Sequence, residues 1–283
     1  MICVGNVVAG GAGKTPVALA IANRMRHHGV APHFLTRGYG GRATKPLKVS
    51  TSRHCAADVG DEALLLAAVA QTWVARDRTA GARTAVKSGA DVLILDDGFQ
   101  NPGLSKDISL LVVDEGFGIG NGRVLPAGPL REPPKEAVAR ASALVRMRSP
   151  NGSIGAMGPL TNPLIPVLTA NIEPNAEDIE RLRGTRVIAF AGIARPVKFF
   201  ATLDAIGCIV VSSRAFDDHR RFRDKDLAAL IKEADLLEAR LVTTAKDAVR
   251  LPPSVKERVE VLRVTAVFDD VQALDELLTP LLP

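Results

Sequence analysis

The chain has 283 residues, 47% of them apolar and 24% charged, which is enough to fold as one large α/β domain or two unequal ones. This composition excludes a disordered or low-complexity protein. The formal net charge of +5 favours anionic partners, such as nucleotides and phospholipid headgroups, although a slightly basic soluble protein fits this charge equally well. Because the chain has one Trp and one Tyr, surfaces on which bases could stack are scarce, and we expect no nucleic-acid partner.

The three cysteines, Cys3, Cys55 and Cys208, have spacings that fit neither a zinc site nor a disulfide framework. The sequence shows no signal peptide, and no apolar run approaches eighteen residues, so no bilayer-spanning segment is predicted. These features together predict a cytoplasmic protein.

Short apolar segments alternate with helical patterns from the first residue onward. Helical spacing extends over 15–28, a second helix is predicted from residue 61, and a strand followed by a helix fits 72–87. The other strands of this half are predicted at 2–8, 33–36, 47–50, 92–95, 108–113, 144–146 and 165–168. This alternation predicts a mostly parallel sheet that binds ligands at the carboxyl ends of its strands.

The second half of the chain contains the candidate domain boundary. Residues 116–134 form a segment rich in Gly and Pro that is too long for a simple connecting loop. A domain boundary fits either 150–166 or 173–183. The last elements predicted are strands at 187–191, 209–211 and 241–244 and an amphipathic helix over 269–282. We therefore predict a larger first domain, residues 1–175, and a smaller α/β domain, residues 176–283.

A glycine-rich segment lies between the first strand and the first helix and comprises Gly10, Gly11, Ala12, Gly13, Lys14, Thr15 and Pro16. Glycines let backbone N–H groups face phosphate oxygens, and the following helix points its positive end at the same place. Lys14 is positioned to reach the β- and γ-phosphates of ATP, and the Thr15 hydroxyl to ligate Mg²⁺. Val8 stands where the G-x-x-x-x-G-K-[ST] pattern has its first glycine, and a glycine-rich turn without a ligand is the alternative.

The predicted fold class is therefore α/β: a P-loop NTPase-like, mostly parallel sheet with a second, smaller α/β domain.

Asp96 and Asp97 end a central strand, where acidic residues commonly hold Mg²⁺ opposite the phosphate loop. The alternative is a solvated turn, because Asp-Asp-Gly is also good turn chemistry. Asp61 and Glu62 open a helix, either as a cap and a dipole partner or with Asp61 as the acceptor of a proton.

His219 lies between two acids and two arginines, a pattern that by itself favours a surface histidine. Arg37 and Arg42 flank glycines in a basic loop that suits an anionic ligand, although a mobile turn fits the pattern nearly as well.

Taken together and in order, these segments resemble one family, the tetraacyldisaccharide 4'-kinases of lipid A synthesis. The matching segments in the first part of the chain are Val4-Gly5-Asn6, Gly10 to Pro16, Arg37-Gly38-Tyr39-Gly40, Gly60-Asp61-Glu62 and Leu95 to Gln100. Those farther along are Gly120 to Arg123, Leu125 to Pro133, Phe190 to Ile193, Arg195-Pro196, Asp218-His219, Thr244 and Lys246 to Val249. No single segment decides the resemblance, but the ordered set covers nearly the whole chain.

The resemblance implies transfer of the ATP γ-phosphoryl group to the 4'-hydroxyl of a tetraacyldisaccharide 1-phosphate, a glycolipid acceptor, at the cytoplasmic face of the inner membrane of Gram-negative bacteria. It implies that Asp61 is the catalytic base with His219 as its partner, that Lys14 is catalytic, and that Asp96 and Asp97 hold Mg²⁺ and water. The other candidate site residues are Glu62, Arg37, Gln100, Arg123 and Arg131. Because His219 falls in the second predicted domain, we expect a site between the domains that closes when nucleotide binds.

Three departures from the family pattern are visible. Family members usually carry a membrane-anchoring helix before the phosphate-loop strand, whereas Met1 here begins at that strand. Either residues precede Met1 in the natural protein, or attachment depends on other surfaces, for which Leu125 to Leu130 and the positive charge are candidates. Asn101 and Arg220 stand where the family commonly has His.

The alternative function is a P-loop ATPase of the switch or partitioning type, which has no lipid acceptor. A guanine-specific enzyme is not expected, because Lys246 and Asp247 are adjacent instead of being separated by one residue.

Overall fold

The structure is a computed structural model that describes residues 1–149, 152–160 and 164–282. Its strands are β1 (Ile2–Gly5), β2 (Pro32–Thr36), β3 (Leu47–Lys48), β4 (Thr72–Val74), β5 (Val92–Asp96), β6 (Ile108–Asp114), β7 (Ala143–Met147), β8 (Val167–Pro174), β9 (Arg186–Ala191), β10 (Ile209–Ala215), β11 (Arg240–Thr244), β12 (Val259–Leu262) and β13 (Val264–Phe268). Its α-helices are α1 (Lys14–His27), α2 (Ala56–Val59), α3 (Asp61–Ala67), α4 (Arg78–Lys87), α5 (Pro134–Ala139), α6 (Ala176–Leu182), α7 (Pro196–Ala205), α8 (Asp224–Leu236), α9 (Ala245–Ala248), α10 (Pro253–Lys256) and α11 (Val271–Leu278). Short 3₁₀ helices lie at Gly158–Leu160 and Thr279–Leu281.

The chain forms two compact units, Met1–Glu173 with Thr265–Pro283, and Pro174–Val264. The first unit contains a sheet whose strand order is β13-β8-β7-β6-β1-β5-β2-β4-β3. The central strands pair in parallel, and β3 runs antiparallel to β4 at the edge. Every residue of β1, β2, β5 and β6 is buried, as expected for strands covered on both faces.

Alternation along the strands builds a separate core on each face of this sheet. On one face Ile2 and Val4 pack with Val17 and Ile21 of α1. On the other face Cys3 belongs to a cluster that includes residues of α4 and α5. Helices therefore pack on both faces of this sheet.

The final segment of the chain corrects the predicted domain division. The prediction placed 176–283 in the smaller domain, whereas residues from Thr265 onward belong to the larger unit. Strand β13 joins the edge of the larger sheet, and Leu274 and Leu278 of α11 join the core cluster that contains α1. The amphipathic pattern predicted the helix, but it carries no information about which core the apolar face joins.

The second unit contains a parallel sheet in the order β10-β9-β11-β12. Two apolar clusters cover its faces, one around Phe199 and Leu203 of α7 and one around Leu227 and Leu230 of α8. In both units, no helix within the described ranges is long and apolar enough to cross a bilayer.

Candidate active site

The glycine-rich loop and the paired aspartates lie at neighbouring strand ends. Strands β1 and β5 are parallel neighbours, with Val4 beside Asp96 in register. Each chain segment leaves its strand on the same edge of the sheet, where α/β proteins bind ligands. The amide of Asp97 donates to the Val4 carbonyl at 3.0 Å and extends the pairing by one residue.

The loop from residue 5 to residue 13 depends on its small residues and on one asparagine. A Cβ on Gly5 would lie 2.4 Å from the Cβ of Phe99, so only glycine lets this turn approach the turn after β5. Gly13 is the N-cap of α1 in the left-handed conformation, with φ of 86°. Asn6 is buried, and its side-chain amide donates to the Val8 carbonyl at 2.6 Å. These features fix the loop at the positive end of a fourteen-residue helix that has no acid in its first turn.

Lys14 and Thr15 connect this loop to the aspartates. The Thr15 hydroxyl donates to Asp96 Oδ2 at 3.0 Å, and Lys14 Nζ lies 3.5 Å from Asp97 Oδ1. Lys14 Nζ also donates to Asn6 Oδ1 at 3.2 Å. The ammonium group, the hydroxyl and both carboxylates therefore form one cluster beside the N-terminus of α1.

Asp96 is 1% exposed, and its Oδ1 has no hydrogen-bond partner among the described residues. Burial, and next the negative charge of Glu62, raise the pKa of Asp96 to about 7, although Lys14 and Thr15 act in the opposite direction. A buried carboxylate oxygen without a partner is costly. A divalent cation beside Thr15 would supply the missing interaction.

The residues present fit Mg²⁺ that arrives with a nucleotide. Within the described ranges, no group of three or more His, Cys, Asp or Glu could hold a metal ion on its own. Mg²⁺ commonly takes only one or two protein ligands and completes its shell with phosphate oxygens and water. The open oxygen of Asp96 and the hydroxyl of Thr15 match that donor set.

Asp97 lies at the start of a network that reaches the Gly/Pro-rich loop. It has φ of 56°, in the left-handed region that Asp tolerates better than most side chains. Arg131 donates to Asp97 Oδ1 at 2.8 Å, and the Arg131 amide donates to the Val7 carbonyl at 2.7 Å. Gln100 donates to the Asn6 carbonyl at 2.8 Å and to Glu132 at 3.0 Å. The segment around Arg131 therefore braces both the phosphate loop and the aspartates.

Asp61 begins α3 and is 5% exposed. Its Oδ1 accepts from the Glu62 amide at 2.9 Å, while the N-cap position itself is Gly60, with φ of 89°. A Cβ on Gly60 would lie 2.5 Å from the Tyr39 carbonyl oxygen, so the loop after β2 packs directly against this turn. Glu62 lies close enough to Asp96 for its charge to raise that pKa. The segment Gly60-Asp61-Glu62 therefore lies at the same site as the phosphate loop.

Arg78 is a buried cation at this edge that the sequence did not single out. It is 7% exposed, donates to the Ala75 carbonyl at 2.7 Å, and its Nε has no partner among the described residues. Burial and then the charge of Arg37 lower the pKa of Arg78, while Asp97 and Asp96 raise it. A cation in the first turn of a helix opposes the helix dipole. An arginine at the start of the predicted helix is therefore the sequence signal that could have identified Arg78.

The predicted residues of the first unit do not all converge. The structure brings together Lys14, Thr15, Asp96, Asp97, Gln100 and Arg131, with Glu62 and Arg37 coupled to this cluster by charge. Arg123 is exposed in the Gly/Pro-rich loop, where its backbone pairs with Asn121 and Leu130. Sequence reasoning did not assign roles to Asn6 and Glu132, although both lie in the segments that carried the resemblance.

His219 lies in the second unit, in the segment that follows β10. It has φ of 57°, and its amide donates to the Gly192 carbonyl at 3.3 Å. Its Nε2 is 3.1 Å from Lys246 Nζ and 3.8 Å from Asp218 Oδ2. His219 is therefore part of a charged cluster instead of a solitary surface residue.

Comparison with known proteins decides the family. The family model described as tetraacyldisaccharide-1-P 4'-kinase matches residues 1–282 of the chain. The chain belongs to this family. The predicted resemblance is confirmed, and with it the prediction of an ATP-dependent kinase, whereas the ATPase without a lipid acceptor is not favoured.

The relatives cover the chain almost completely. The tetraacyldisaccharide 4'-kinase of Rhodospirillum centenum is 51% identical over 282 residues, which is 100% of this chain and 83% of that protein. That of Rhodospirillum rubrum is 49% identical over 283 residues, 100% of this chain and 85% of that protein. The crystal structure of the "apo" form of LpxK from Aquifex aeolicus in complex with ATP matches with a TM-score of 0.77 and 26% identity, covering 100% of this chain and 88% of that one. This likeness confirms the predicted α/β, P-loop NTPase-like fold class.

Proposed function

We propose that this chain transfers the γ-phosphoryl group of ATP to the 4'-hydroxyl of a tetraacyldisaccharide 1-phosphate, as its family name describes. The observation that carries the proposal is the cluster at the end of β1 and β5, where Thr15 donates to Asp96 and Lys14 pairs with Asp97. A hydroxyl, an ammonium group and two carboxylates at a helix N-terminus are the parts that position ATP and Mg²⁺ for phosphoryl transfer.

The metal site in this proposal consists of Thr15 and Asp96, with Asp97 acting through water. Mg²⁺ bound there supplies positive charge to the phosphate oxygens during transfer. Thr15 and Asp96 are already joined by a 3.0 Å hydrogen bond, so the two proposed metal-ligand groups are in place before the nucleotide binds. Such preorganisation lowers the cost of assembling the site during the reaction.

The cationic side chains neutralise the transferred group. Lys14 is the residue placed to follow the β- and γ-phosphates, and Asn6 restricts its motion. Arg131 is held by Asp97 at 2.8 Å, and Arg78 lies buried at the same edge. Because the transition state of phosphoryl transfer is loose, alignment and charge neutralisation supply most of the catalysis.

Asp61 is the proposed acceptor of the proton that the 4'-hydroxyl loses, and His219 is its proposed partner. Support for Asp61 comes from its burial at the edge that also carries the phosphate loop. Support for His219 comes from the matching Asp218-His219 segment. A kinetic test is a double-mutant cycle: if the two residues act as a unit, Asp61→Ala with His219→Ala should cost little more than either change alone.

The acceptor is a glycolipid, so we also propose that the enzyme works at the cytoplasmic face of the inner membrane. The Gly/Pro-rich loop exposes Leu125 by 55% and also presents Val124 and Phe117. Arg123 adds a positive charge beside them, which attracts anionic headgroups. Flotation with anionic liposomes at low salt tests this part of the proposal: Leu125→Ser should weaken association, and equal flotation of both proteins would contradict it.

The reaction itself is tested with γ-labelled ATP and the lipid disaccharide. The proposal predicts that label moves to the lipid, with Lys14→Ala as the inactive control. Label that appears only as inorganic phosphate would instead support an ATPase without a lipid acceptor.

A further inference from the structure

The segment Thr244 to Asp247 has no role in the proposed reaction, although it carried part of the resemblance. Thr244 ends β11 and caps the four-residue helix α9, accepting from the Asp247 amide at 3.1 Å. Lys246 therefore projects from a short, capped helix and not from a loose loop. Its side chain is 23% exposed, so most of its length is covered by protein.

Lys246 meets His219 within the second unit. Lys246 Nζ lies 3.1 Å from His219 Nε2, and 3.6 Å from Asp218 Oδ1. An ammonium group has three donors and no acceptor, so in this contact Nε2 must be the acceptor. With Nε2 as the acceptor, a ring proton can be carried only on Nδ1. A charged imidazolium would bring two cationic donors face to face.

Asp247 fixes the distance between the two partners. Its carboxylate is fully buried and accepts from the Gly192 amide at 2.9 Å, from Thr244 Oγ1 at 2.6 Å and from Arg250 at 2.6 Å. The Gly192 carbonyl accepts from the His219 amide at 3.3 Å. One buried acid thus ties the segment that carries Lys246 to the segment that carries His219.

The backbone of His219 supports the same interpretation. A φ of 57° at a histidine is a conformation that costs free energy and persists only where surrounding contacts hold it. The contacts with Gly192 and Lys246 provide that restraint. Such restrained residues cluster at functional sites.

We infer that Lys246 is a positioning residue that holds His219 as the neutral Nδ1–H tautomer. The inference deepens the proposed function. Its expected effect on turnover rests on that function, because His219 is the proposed partner of Asp61. A neutral ring with an Nδ1–H donor orients a carboxylate by a hydrogen bond but does not transfer its proton to that carboxylate. The carboxylate can therefore still accept a proton from the substrate.

The direct test is the nitrogen spectrum of His219. The chain has five histidines, so a protein labelled with ¹⁵N in its histidine rings gives few signals, and His219→Gln identifies the relevant one. Long-range ¹H–¹⁵N correlations distinguish the Nδ1–H tautomer, the Nε2–H tautomer and the imidazolium. The full chain is compared with Lys246→Met, with Lys246→Arg, and with Lys225→Met, which changes an exposed lysine of α8.

The wild-type chain and the Lys225→Met control should show Nδ1–H, Lys246→Met should lose it, and Lys246→Arg should keep it because arginine is also donor-only. Turnover of Lys246→Met should fall roughly 10- to 100-fold, the range typical of losing a group that orients a functional side chain, with KM for ATP unchanged. If the His219 spectrum of Lys246→Met equals that of the wild-type chain, the inference is wrong. The inference is also wrong if Lys246→Met keeps the wild-type spectrum and only its KM for the lipid rises, because Lys246 would then be a substrate contact. The spectrum does not depend on catalysis, so failure of the kinase proposal would leave this result readable.

Discussion

Two buried carboxylates, one in each unit, differ in how they are satisfied. Asp178 in the second unit accepts from the Arg263 amide and guanidinium and from Arg181, with distances of 2.6–2.9 Å. Burial alone would raise the pKa of Asp178, but the hydrogen bonds from Arg263 and Arg181 bring it to about 2. Asp96 in the first unit accepts from Thr15, and its second oxygen has no partner among the described residues.

The difference separates a structural acid from a functional one. Asp178 is neutralised by residues of its own unit and stabilises the fold. Asp96 is held with an open oxygen and a pKa of about 7, which costs stability unless a cation binds. Strongly perturbed carboxylates with incomplete partners are typical of ligand sites.

The sharpest way to break this comparison is Asp96→Asn. The change keeps the shape of the side chain and the contact with Thr15 but removes the charge that we propose for Mg²⁺. We expect turnover with Mg·ATP to fall about 10³-fold or more, because a bound metal contributes several kcal/mol. The free energy of unfolding at pH 8, measured in urea, should not decrease, because a desolvated charge is removed. A large loss of stability would place Asp96 in the same class as Asp178.

Asp61 is a third buried acid, and Asp61→Asn tests which class it belongs to. Asn retains the ability to accept from a neighbouring amide near the helix start, but it is a far poorer proton acceptor than a carboxylate. If Asp61 is the base, turnover should fall about 10²-fold or more while nucleotide binding persists. Lys14→Ala is the contrasting variant, because it should weaken nucleotide binding itself. Near-normal turnover of Asp61→Asn would show that Asp61 supports the start of α3 through the Glu62 amide and is not the base.

Asp178→Ala should give the opposite pattern to Asp96→Asn. We expect a loss of about 2–3 kcal/mol in the free energy of unfolding, since several charged hydrogen bonds disappear although the half-exposed Arg263 recovers water. Nucleotide affinity of the folded protein should stay the same when measured by calorimetry. Exposed Glu177, which lies 3.5 Å from Arg263, provides the matched control, and Glu177→Ala should change stability by less than about 1 kcal/mol.

The smallest expected effect concerns pH. The raised pKa of Asp96 means that this carboxyl is mostly protonated at pH 6, so binding of Mg·ATP there must release a proton. Affinity should therefore rise about fivefold between pH 6 and pH 7, reach about tenfold by pH 8 and level off above it. Calorimetry in buffers of different ionisation enthalpy measures the released proton. The same titration of Asp96→Asn subtracts the contribution of ATP itself, and an unchanged proton release would contradict the assignment.

The parts of the site that are local in sequence were predictable. A strand, a glycine-rich turn and Lys14-Thr15 form one continuous segment, and Asp96 follows directly from its own strand. Their proximity follows from the rule that parallel strands bring their carboxyl ends to one edge.

The contacts between distant segments were not predictable in the same way. Arg131 reaches Asp97 across 34 positions, and nothing in either segment specifies the partner. The docking of α11 on the first core depends on which apolar face is left uncovered after the rest of the chain has packed. The pairing of Lys246 with His219 likewise appears only when β10 and β11 both pair with β9 in the second sheet.

The most direct test of the central claim is a crystal structure of the chain with a non-hydrolysable ATP analogue and Mn²⁺ in place of Mg²⁺. We predict an anomalous peak between the β- and γ-phosphates and the Thr15 hydroxyl, with Asp96 bound directly or through one water. A nucleotide bound with its metal away from both Thr15 and Asp96, or a phosphate loop that contacts no phosphate, would contradict the account.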